Sequence, residues 1–229
     1  MNDRQLAFDL PFRAATGRNA FFVADPNALA VAEIDRWRDW PARKLALTGP
    51  NGAGKSHLAA VWAAEAGAAI LAATDLGDSP AQVRHVVVED ADTVAGDPAG
   101  EERLLHLHNA VLDQGGWLLL TGKTPPARWP VGLPDLASRL AATPVAKLGP
   151  PDDALLAAVL AKLFEDRQLS APASLIAWCV PRMERSFAAA QALVAALDAR
   201  ALATQRPIGP KLAAEVLDAA NRAGQNGDG

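Results

Sequence analysis

Short apolar runs alternate with helical patterns over the first two thirds of the chain. Five runs have the length of a strand and are bounded by polar or turn residues: "KLALTG", "AAILAA", "HVVVED", "WLLLTG" and "TPVAKL". Between them, "KSHLAAVWAAEA", "EERLLHLHNAVLDQGG" and "LPDLASRLAA" carry the helical pattern. Strands that alternate with helices favour right-handed crossovers. The pattern therefore predicts an α/β fold of three layers, with helices on both faces of a five-stranded parallel sheet.

The pattern changes at "GPPDD", residues 149–153, and no run beyond it is typical of a strand. Apolar residues there follow helical spacing, and Pro210 suits the first turn of a last helix. We therefore predict three parts: an N-terminal segment (1–20), an α/β domain (21–150) and a small all-helical domain (151–229).

Two further predictions concern helices inside the α/β part. "ALAVAEIDRWRDW" places Leu29, Ile34 and Trp37 at roughly helical spacing, which predicts a helix with these side chains on its apolar face. Glu101 and its neighbour Glu102 favour the start of a helix electrostatically, because the N-terminus of a helix carries partial positive charge.

Composition and charge exclude several classes of protein. Half of the 229 residues are hydrophobic and 21% are charged, which is typical of a folded chain. The net charge of −4 does not indicate a nucleic-acid or anionic-membrane surface. Cys179 is the one cysteine and lies in apolar "LIAWCVP", which predicts a core thiol in a reducing compartment. No signal peptide and no apolar run near the roughly 18 residues of a membrane span is found, so we expect a cytoplasmic protein without a membrane partner.

The stretch "GPNGAGKS", residues 49–56, matches the phosphate-binding pattern G-x-x-x-x-G-K-[ST] in full. It lies between a predicted strand and a predicted helix, as the chemistry requires. The glycines let backbone N–H groups turn toward phosphates, Lys55 reaches the β- and γ-phosphates, and the Ser56 hydroxyl helps to hold Mg²⁺. The predicted cofactor is ATP or ADP with Mg²⁺, and its candidate ligands are Gly49, Pro50, Asn51, Gly52, Ala53, Gly54, Lys55, Ser56 and the following His57.

A second candidate element is the pair Glu89 and Asp90, which ends the predicted strand "HVVVED". In a nucleotide site, one acid at this place positions Mg²⁺ and the next orients or deprotonates the attacking water. We assign Glu89 the metal role and Asp90 the water role.

In their order along the chain, these motifs resemble the AAA+ ATPases of the replication-initiator branch, and most closely the Hda family of short DnaA homologues. "FFVADPN" resembles the segment before the nucleotide site, "GPNGAGKSHLA" resembles Walker A, and "VVVED" occupies the Walker B position. "WLLLTGKTPP" is similar to the sensor-1 strand and loop, "LPDLASRL" to the arginine-finger segment, and "PRMERSFAAAQALV" to the sensor-2 helix of the lid. The resemblance covers nearly the whole chain and implies an AAA+ core followed by a helical lid.

The resemblance also implies roles for individual side chains. Arg139 matches the arginine finger, which reaches the γ-phosphate held by a neighbouring subunit. Arg185 matches the sensor-2 arginine, with Arg182 as the competing choice. Two departures stand out. Walker B usually has aspartate where this chain has Glu89. In the sensor-1 loop, Gly122 and Lys123 stand where the family commonly has a small polar residue followed by Asp or Asn, so that Thr121 is the other candidate there.

Function follows from the same resemblance. The Hda family promotes hydrolysis of ATP bound to the initiator DnaA while docked on the sliding clamp of DNA polymerase III, its β subunit. "QLAFDL" resembles the clamp-binding hexapeptide, which implies that Gln5, Leu6, Phe8 and Leu10 bind the clamp. Without the resemblance, the same segment would be interpreted as a strand packed on the chain's own core.

Three alternatives stay open. A helicase loader similar to DnaC shares the ATPase core, a P-loop kinase would need an acceptor pocket, and a head-to-tail AAA+ contact would allow a homo-oligomer. No helix-turn-helix domain is predicted after the lid and no basic stripe is present, so we expect no direct sequence-specific DNA binding.

Overall fold

The structure is a computed structural model that describes residues 12–13, 21–77 and 83–225. The chain divides into two compact units, Phe12–Gly149 and the part from Pro150 onward. Each unit has its own hydrophobic core.

The first unit is built on a five-stranded parallel sheet. Its strands are β3 (Lys44–Thr48), β4 (Ala69–Ala72), β5 (His85–Glu89), β6 (Trp117–Gly122) and β7 (Val145–Lys147); two short strands, β1 (Phe12–Arg13) and β2 (Phe21–Phe22), form a separate antiparallel ladder. The order in the sheet is β4-β5-β6-β3-β7, and every neighbouring pair is parallel. The helices are α1 (Ala28–Asp35), α2 (Lys55–Ala66), α3 (Pro98–Asp113) and α4 (Pro134–Ala141). The predicted α/β fold and its five strands are confirmed.

Side chains along the central strands alternate between the two faces of the sheet, because successive residues of a strand point to opposite sides. One set packs with α1 and α2, and the other packs with α3 and α4. The first set contains Leu45, Leu47, Val87 and Leu119; the second contains Ala46, Val86, Val88, Leu118 and Leu120. All nine are at most 2% exposed, which explains why the strands are continuous apolar runs.

The helix α1 differs from the prediction. It ends at Asp35, and Trp37 lies in a following 3-10 turn. Ile34 and Trp37 are buried, but Leu29 is 82% exposed. Leu29 and Ile34 are five residues apart, which turns them by about 140° on a helix, so one face cannot bury both.

The start of α3 also differs from the prediction, which placed it near Glu101. The helix begins at Pro98, and the Asp97 side chain caps it by accepting a hydrogen bond from the N–H of Gly100 at 3.1 Å. An aspartate before a proline at the first helical position is a strong start signal, so it sets the boundary. Glu101 is then inside the helix and is free to serve another purpose.

The second unit is all helical, with α5 (Asp153–Asp166), α6 (Ala173–Cys179), α7 (Phe187–Thr204) and α8 (Pro210–Gln225). Its core contains Leu156, Leu160, Leu193, Val194 and Leu197 together with Cys179, which is fully buried. Burial raises the pKa of the Cys179 thiol, against an opposing effect of Arg182. The predicted core thiol is confirmed.

The helix α7 differs from the expectation that no apolar run approaches the length of a membrane span. It has 18 residues and a mean hydropathy of 1.2, which by length and composition alone would allow it to cross a membrane. Nine of its 18 residues are alanine, which contributes to this hydropathy. Leu193, Val194 and Leu197 are its buried large side chains, and they pack in the core of the helical unit.

Candidate functional site

The phosphate-binding loop leaves the carboxyl end of β3 and enters the N-terminus of α2. Gly54 precedes the helix with a φ of 93°, a left-handed conformation that glycine adopts without strain. Ala53 and Lys55 are buried, whereas Ser56 and His57 are exposed on the first turn of α2. A helix N-terminus presents unpaired N–H groups and partial positive charge, so the local structure is suited to a polyphosphate.

Lys55 is 7% exposed, and its ammonium is held inside the loop. The Nζ atom donates to the carbonyl oxygens of Gly49 at 2.9 Å and Pro50 at 3.1 Å. Burial lowers the pKa of Lys55, and the nearby carboxylates of Asp90 and Asp92 act in the opposite direction. A phosphate oxygen would therefore replace a neutral carbonyl with a charged acceptor, which makes a stronger hydrogen bond.

The acidic turn after β5 brings the two predicted acids to the same edge of the sheet. Glu89 is half-buried at the end of the strand, and Asp90 follows in an exposed turn with a φ of 49°. β6 lies between β5 and β3. Two strand spacings, about 10 Å, therefore separate the acidic turn from the phosphate-binding loop.

Thr121 connects β6 to this turn. Its hydroxyl oxygen accepts the N–H of Asp90 at 2.9 Å, and its side chain is buried. The residue that we considered for the sensor-1 role is thus a support of the Asp90 backbone.

Asp92 is a site residue that the sequence analysis did not single out. Its Oδ2 accepts the N–H of Lys123 at 3.0 Å, so it ties the acidic turn to the loop after β6. Its Oδ1 is buried and has no hydrogen-bond partner within the described part of the chain. The spacing of the acids in "EDAD" was the available signal, because a carboxylate two residues after Asp90 stays in the same turn.

The loop after β6 explains one departure from the family pattern. A side chain at Gly122 has no room, because its Cβ would lie 2.7 Å from the Trp129 ring. Trp129 is itself fixed, since its indole N–H donates to the carbonyl of Thr124 at 2.9 Å. Because the Trp129 ring occupies this space, glycine stands at position 122 where the family commonly has a small polar residue. Lys123 follows as an exposed cation at this edge.

Ser56 and Glu89 provide oxygen atoms of the kind that Mg²⁺ prefers. Among the described residues, no group of three or more His, Cys, Asp or Glu side chains is placed to hold a metal by itself. Magnesium in phosphate-transfer sites takes few protein ligands and completes its shell with phosphate oxygens and water. The residues therefore suit a metal that arrives with a nucleotide.

Arg139 lies on α4, and its guanidinium forms an ion pair at the surface. Nε and Nη2 donate to the two carboxylate oxygens of Asp135 at 3.1 and 3.2 Å. The two side chains are 39% and 56% exposed, so the pair adds little to stability and is easily exchanged for another anion.

Glu101 holds the loop that leads into α4, and it is a second residue, after Asp92, whose role the sequence did not predict. Its carboxylate accepts the N–H groups of Gly132 and Leu133 at 2.8 to 3.0 Å and that of Gly96 at 2.7 Å. Burial alone would raise the pKa of Glu101. The hydrogen bonds from these backbone N–H groups stabilise the carboxylate more than burial disfavours it, so the pKa is lowered. The sequence signal was a glutamate just before an apolar helical face, which is equally typical of a solvated first turn.

The two sensor-2 candidates lie in the helical unit before α7. Arg185 forms an ion pair with Asp153 at 2.7 Å, and both side chains are more than half exposed. Arg182 stacks on Trp178 at 4.4 Å and donates to its carbonyl at 2.8 Å. Arg185 thus has the more exchangeable contact.

The predicted clamp-binding residues Gln5, Leu6, Phe8 and Leu10 lie outside the described residues.

Comparison with solved structures gives the same architecture. Domain III of the replication initiation protein DnaA from Thermotoga maritima superposes with a TM-score of 0.76 at 20% identity, over 86% of this chain and 93% of that one. DnaA from Aquifex aeolicus bound to AMPPCP gives 0.65 at 14% identity, over 79% of this chain and 64% of that one. The AAA domain of FIGL-1 in complex with ADP gives 0.60 at 11% identity, over 83% and 78%. No family model matches the chain.

The fold is therefore that of an AAA+ domain. Within that class, the arrangement of this chain is similar to domain III of DnaA. In this chain the predicted phosphate-binding loop lies at the carboxyl end of β3, which is flanked by β6 and β7 in the sheet.

Proposed function

We propose that this chain binds ATP or ADP with Mg²⁺ through the loop of residues 49–56. The observation that carries the proposal is the loop itself: a complete phosphate-binding sequence between β3 and α2, with the Lys55 ammonium turned inward. Lys55 exchanges its carbonyl partners for phosphate oxygens, Ser56 and Glu89 hold Mg²⁺, and Arg185 contacts the nucleotide from the lid. The AMPPCP and ADP complexes of similarly folded proteins support this assignment.

The bound nucleotide serves regulation more than turnover. Glu89 is one methylene longer than the aspartate usual at the metal position, so it changes the reach of the carboxylate. Asp90 is left to orient the attacking water from an exposed turn. Slow hydrolysis by this chain is the expected result.

The proposed partner is the initiator DnaA, and the proposed action is that of the Hda family. Arg139 reaches the γ-phosphate of ATP held by the initiator and stabilises the charge that develops there while water displaces ADP from phosphate. Its exposed, exchangeable pair with Asp135 supports this role, since the guanidinium leaves that pair without uncovering a buried charge. The likeness of the fold to DnaA domain III supports a head-to-tail AAA+ contact, which would also join two copies of this chain.

The proposed tether is the N-terminal "QLAFDL". The Gln5 amide hydrogen-bonds in the pocket of the DNA polymerase III sliding clamp, and Leu6, Phe8 and Leu10 bury apolar surface in its groove. The tether raises the effective concentration of Arg139 near clamp-loaded DNA.

The test is a hydrolysis assay with components left out one at a time. DnaA preloaded with ATP is mixed with this chain, the sliding clamp and nicked DNA, and release of phosphate is followed. We expect stimulation only in the complete mixture, and loss of it when Gln5→Ala and Leu6→Ala are combined. Unchanged hydrolysis in the complete mixture would contradict the proposal.

Two added arms separate the alternatives. Capture of the replicative helicase instead of the clamp and DnaA would indicate a helicase loader. Transfer of phosphate to a metabolite without any protein partner would indicate a kinase.

A further inference from the structure

Lys44 is a buried cation without a carboxylate partner among the described residues. It is the first residue of β3, the strand that leads into the phosphate-binding loop, and it is 5% exposed. Its Nζ donates to the carbonyl oxygen of Arg139 at 2.7 Å and lies 3.4 Å from Nε2 of His108. A buried ammonium is costly unless its donors are satisfied, so these contacts are specific requirements of the fold.

The carbonyl of Arg139 belongs to the last turn of α4, where carbonyl groups have no partner inside the helix. The carbonyls of Ser138 and Leu140 accept backbone N–H groups from the chain that follows. The carbonyl of Arg139 instead accepts Lys44 at 2.7 Å and the Thr143 hydroxyl at 3.0 Å. A cation at this end also complements the negative end of the helix dipole. Lys44 is therefore a C-terminal cap of α4 that comes from the central sheet.

His108 supplies the second acceptor from α3. It is 2% exposed, and its Nδ1 lies 3.3 Å from the Asn109 side-chain oxygen. With the proton on Nδ1, the lone pair on Nε2 faces the Lys44 ammonium. The Lys44 side chain thus joins β3, α3 and α4 at one point.

We propose that Lys44 is a positioning residue for Arg139. Two anchors hold the short helix α4: Glu101 fixes the loop before it, and Lys44 fixes its last turn. Among the described residues, Asp135 of the same helix is the sole side chain that holds the guanidinium, so the placement of α4 sets its orientation toward a partner. This inference rests on the proposed function of Arg139.

The test variant is Lys44→Met, which keeps the apolar stem and removes the ammonium. The matched control is Arg43→Met, because Arg43 is the adjacent cation and its side chain donates to the carbonyl of Leu112 in α3, whereas Lys44 donates to a carbonyl of α4. Single-turnover hydrolysis of DnaA-bound ATP is measured against the concentration of this chain, with clamp-loaded DNA present. We expect Lys44→Met to lower the maximal rate by between about 10- and 100-fold, the effect of a misplaced group, while the half-saturating concentration stays nearly constant.

Non-additivity distinguishes positioning from general loss of structure. Lys44→Met combined with Arg139→Ala should be no slower than Arg139→Ala alone, because Lys44 acts through Arg139. A full maximal rate in folded Lys44→Met, with the rate lost in Arg139→Ala, overturns the proposal. Were Lys44→Met not to fold, Lys44→Gln keeps a polar side chain whose nitrogen ends one atom short of the Lys44 ammonium that contacts the Arg139 carbonyl, and an unchanged maximal rate in that variant overturns the proposal equally.

Failure of the proposed function is recognised separately. If Arg139→Ala leaves hydrolysis unchanged, Arg139 is not the finger, and amide hydrogen exchange then decides the role of Lys44. Faster exchange in the last turn of α4 than in α2, seen in Lys44→Met and not in Arg43→Met, supports the cap. Equal exchange in all three proteins overturns it.

Discussion

The folded chain should lose stability as the pH falls from 7 to 4, and His108 should account for a measurable part of the loss. Burial, together with the Lys44 charge, lowers the pKa of His108 from its ordinary 6.5 to about 4. Asn109 and Asp135 favour the protonated ring, and Arg139 opposes it, so the groups around His108 do not cancel the effect of burial. The folded protein therefore keeps this imidazole neutral where the unfolded chain binds a proton.

The sign and the size follow from that difference. Between pH 6.5 and about 4, His108 binds a proton in the unfolded state but not in the folded state. The contribution of His108 to stability is therefore complete above pH 6.5 and is lost as the pH falls through this window. Each factor of ten in proton affinity corresponds to 1.36 kcal/mol, which gives a contribution of about 3 kcal/mol. With a urea dependence of about 2 kcal/mol per molar, the unfolding midpoint should shift by about 1.5 M.

The assay is urea unfolding at several pH values, followed by tryptophan fluorescence. Five of the six tryptophans belong to the α/β unit, so the signal reports mainly on the unit that contains His108. His108→Gln removes the titrating ring, and His106→Gln is the control because His106 is exposed on the same helix. We expect a weaker dependence on pH in His108→Gln alone. If wild type and His108→Gln lose stability in parallel, the buried neutral imidazole is refuted.

Three other predictions concern the site and its supports. Lys55→Ala should weaken ATP binding by about 100-fold in titration calorimetry, because it removes a charge-assisted contact of about 3 kcal/mol. Gly122→Ser should destabilise the α/β unit by about 1–3 kcal/mol in urea unfolding, since the added atoms meet the Trp129 ring; equal midpoints would show that the ring yields. Glu101→Gln should cost about 2 kcal/mol, because an amide nitrogen then faces backbone N–H groups, and stability equal to wild type would contradict that role.

The three central strands of the sheet could be predicted from the sequence because burial on both faces makes them nearly continuous apolar runs. The phosphate-binding loop could be predicted as well, since its chemistry is local and all of its residues are adjacent. The helix near Leu29 was predicted less well, because loose helical spacing does not specify which side of a helix is buried. The start of α3 was missed because the Asp97 side chain sets it, whereas the prediction rested on the charge of Glu101 and Glu102.

What the sequence did not reveal depends on contacts between distant residues. Glu101 and Gly132 are 31 positions apart, and Lys44 and Arg139 are 95 apart. A lysine at the start of a strand and a glutamate on a helix are ordinary in sequence, and only the fold brings them to carbonyl and N–H groups that need them. Asp92 was missed for a related reason, since its partner is the backbone N–H of Lys123.

The most direct test of the proposed function compares three proteins in the hydrolysis of ATP bound to DnaA on clamp-loaded DNA: wild type, Arg139→Ala and Arg222→Ala. Arg222 is the matched control, because it is an exposed helical arginine that also contacts the residue four positions before it. Arginine fingers contribute about 10³- to 10⁵-fold to hydrolysis, so Arg139→Ala should fall to the rate of DnaA alone while Arg222→Ala matches wild type. Full stimulation by Arg139→Ala would contradict the proposed mechanism.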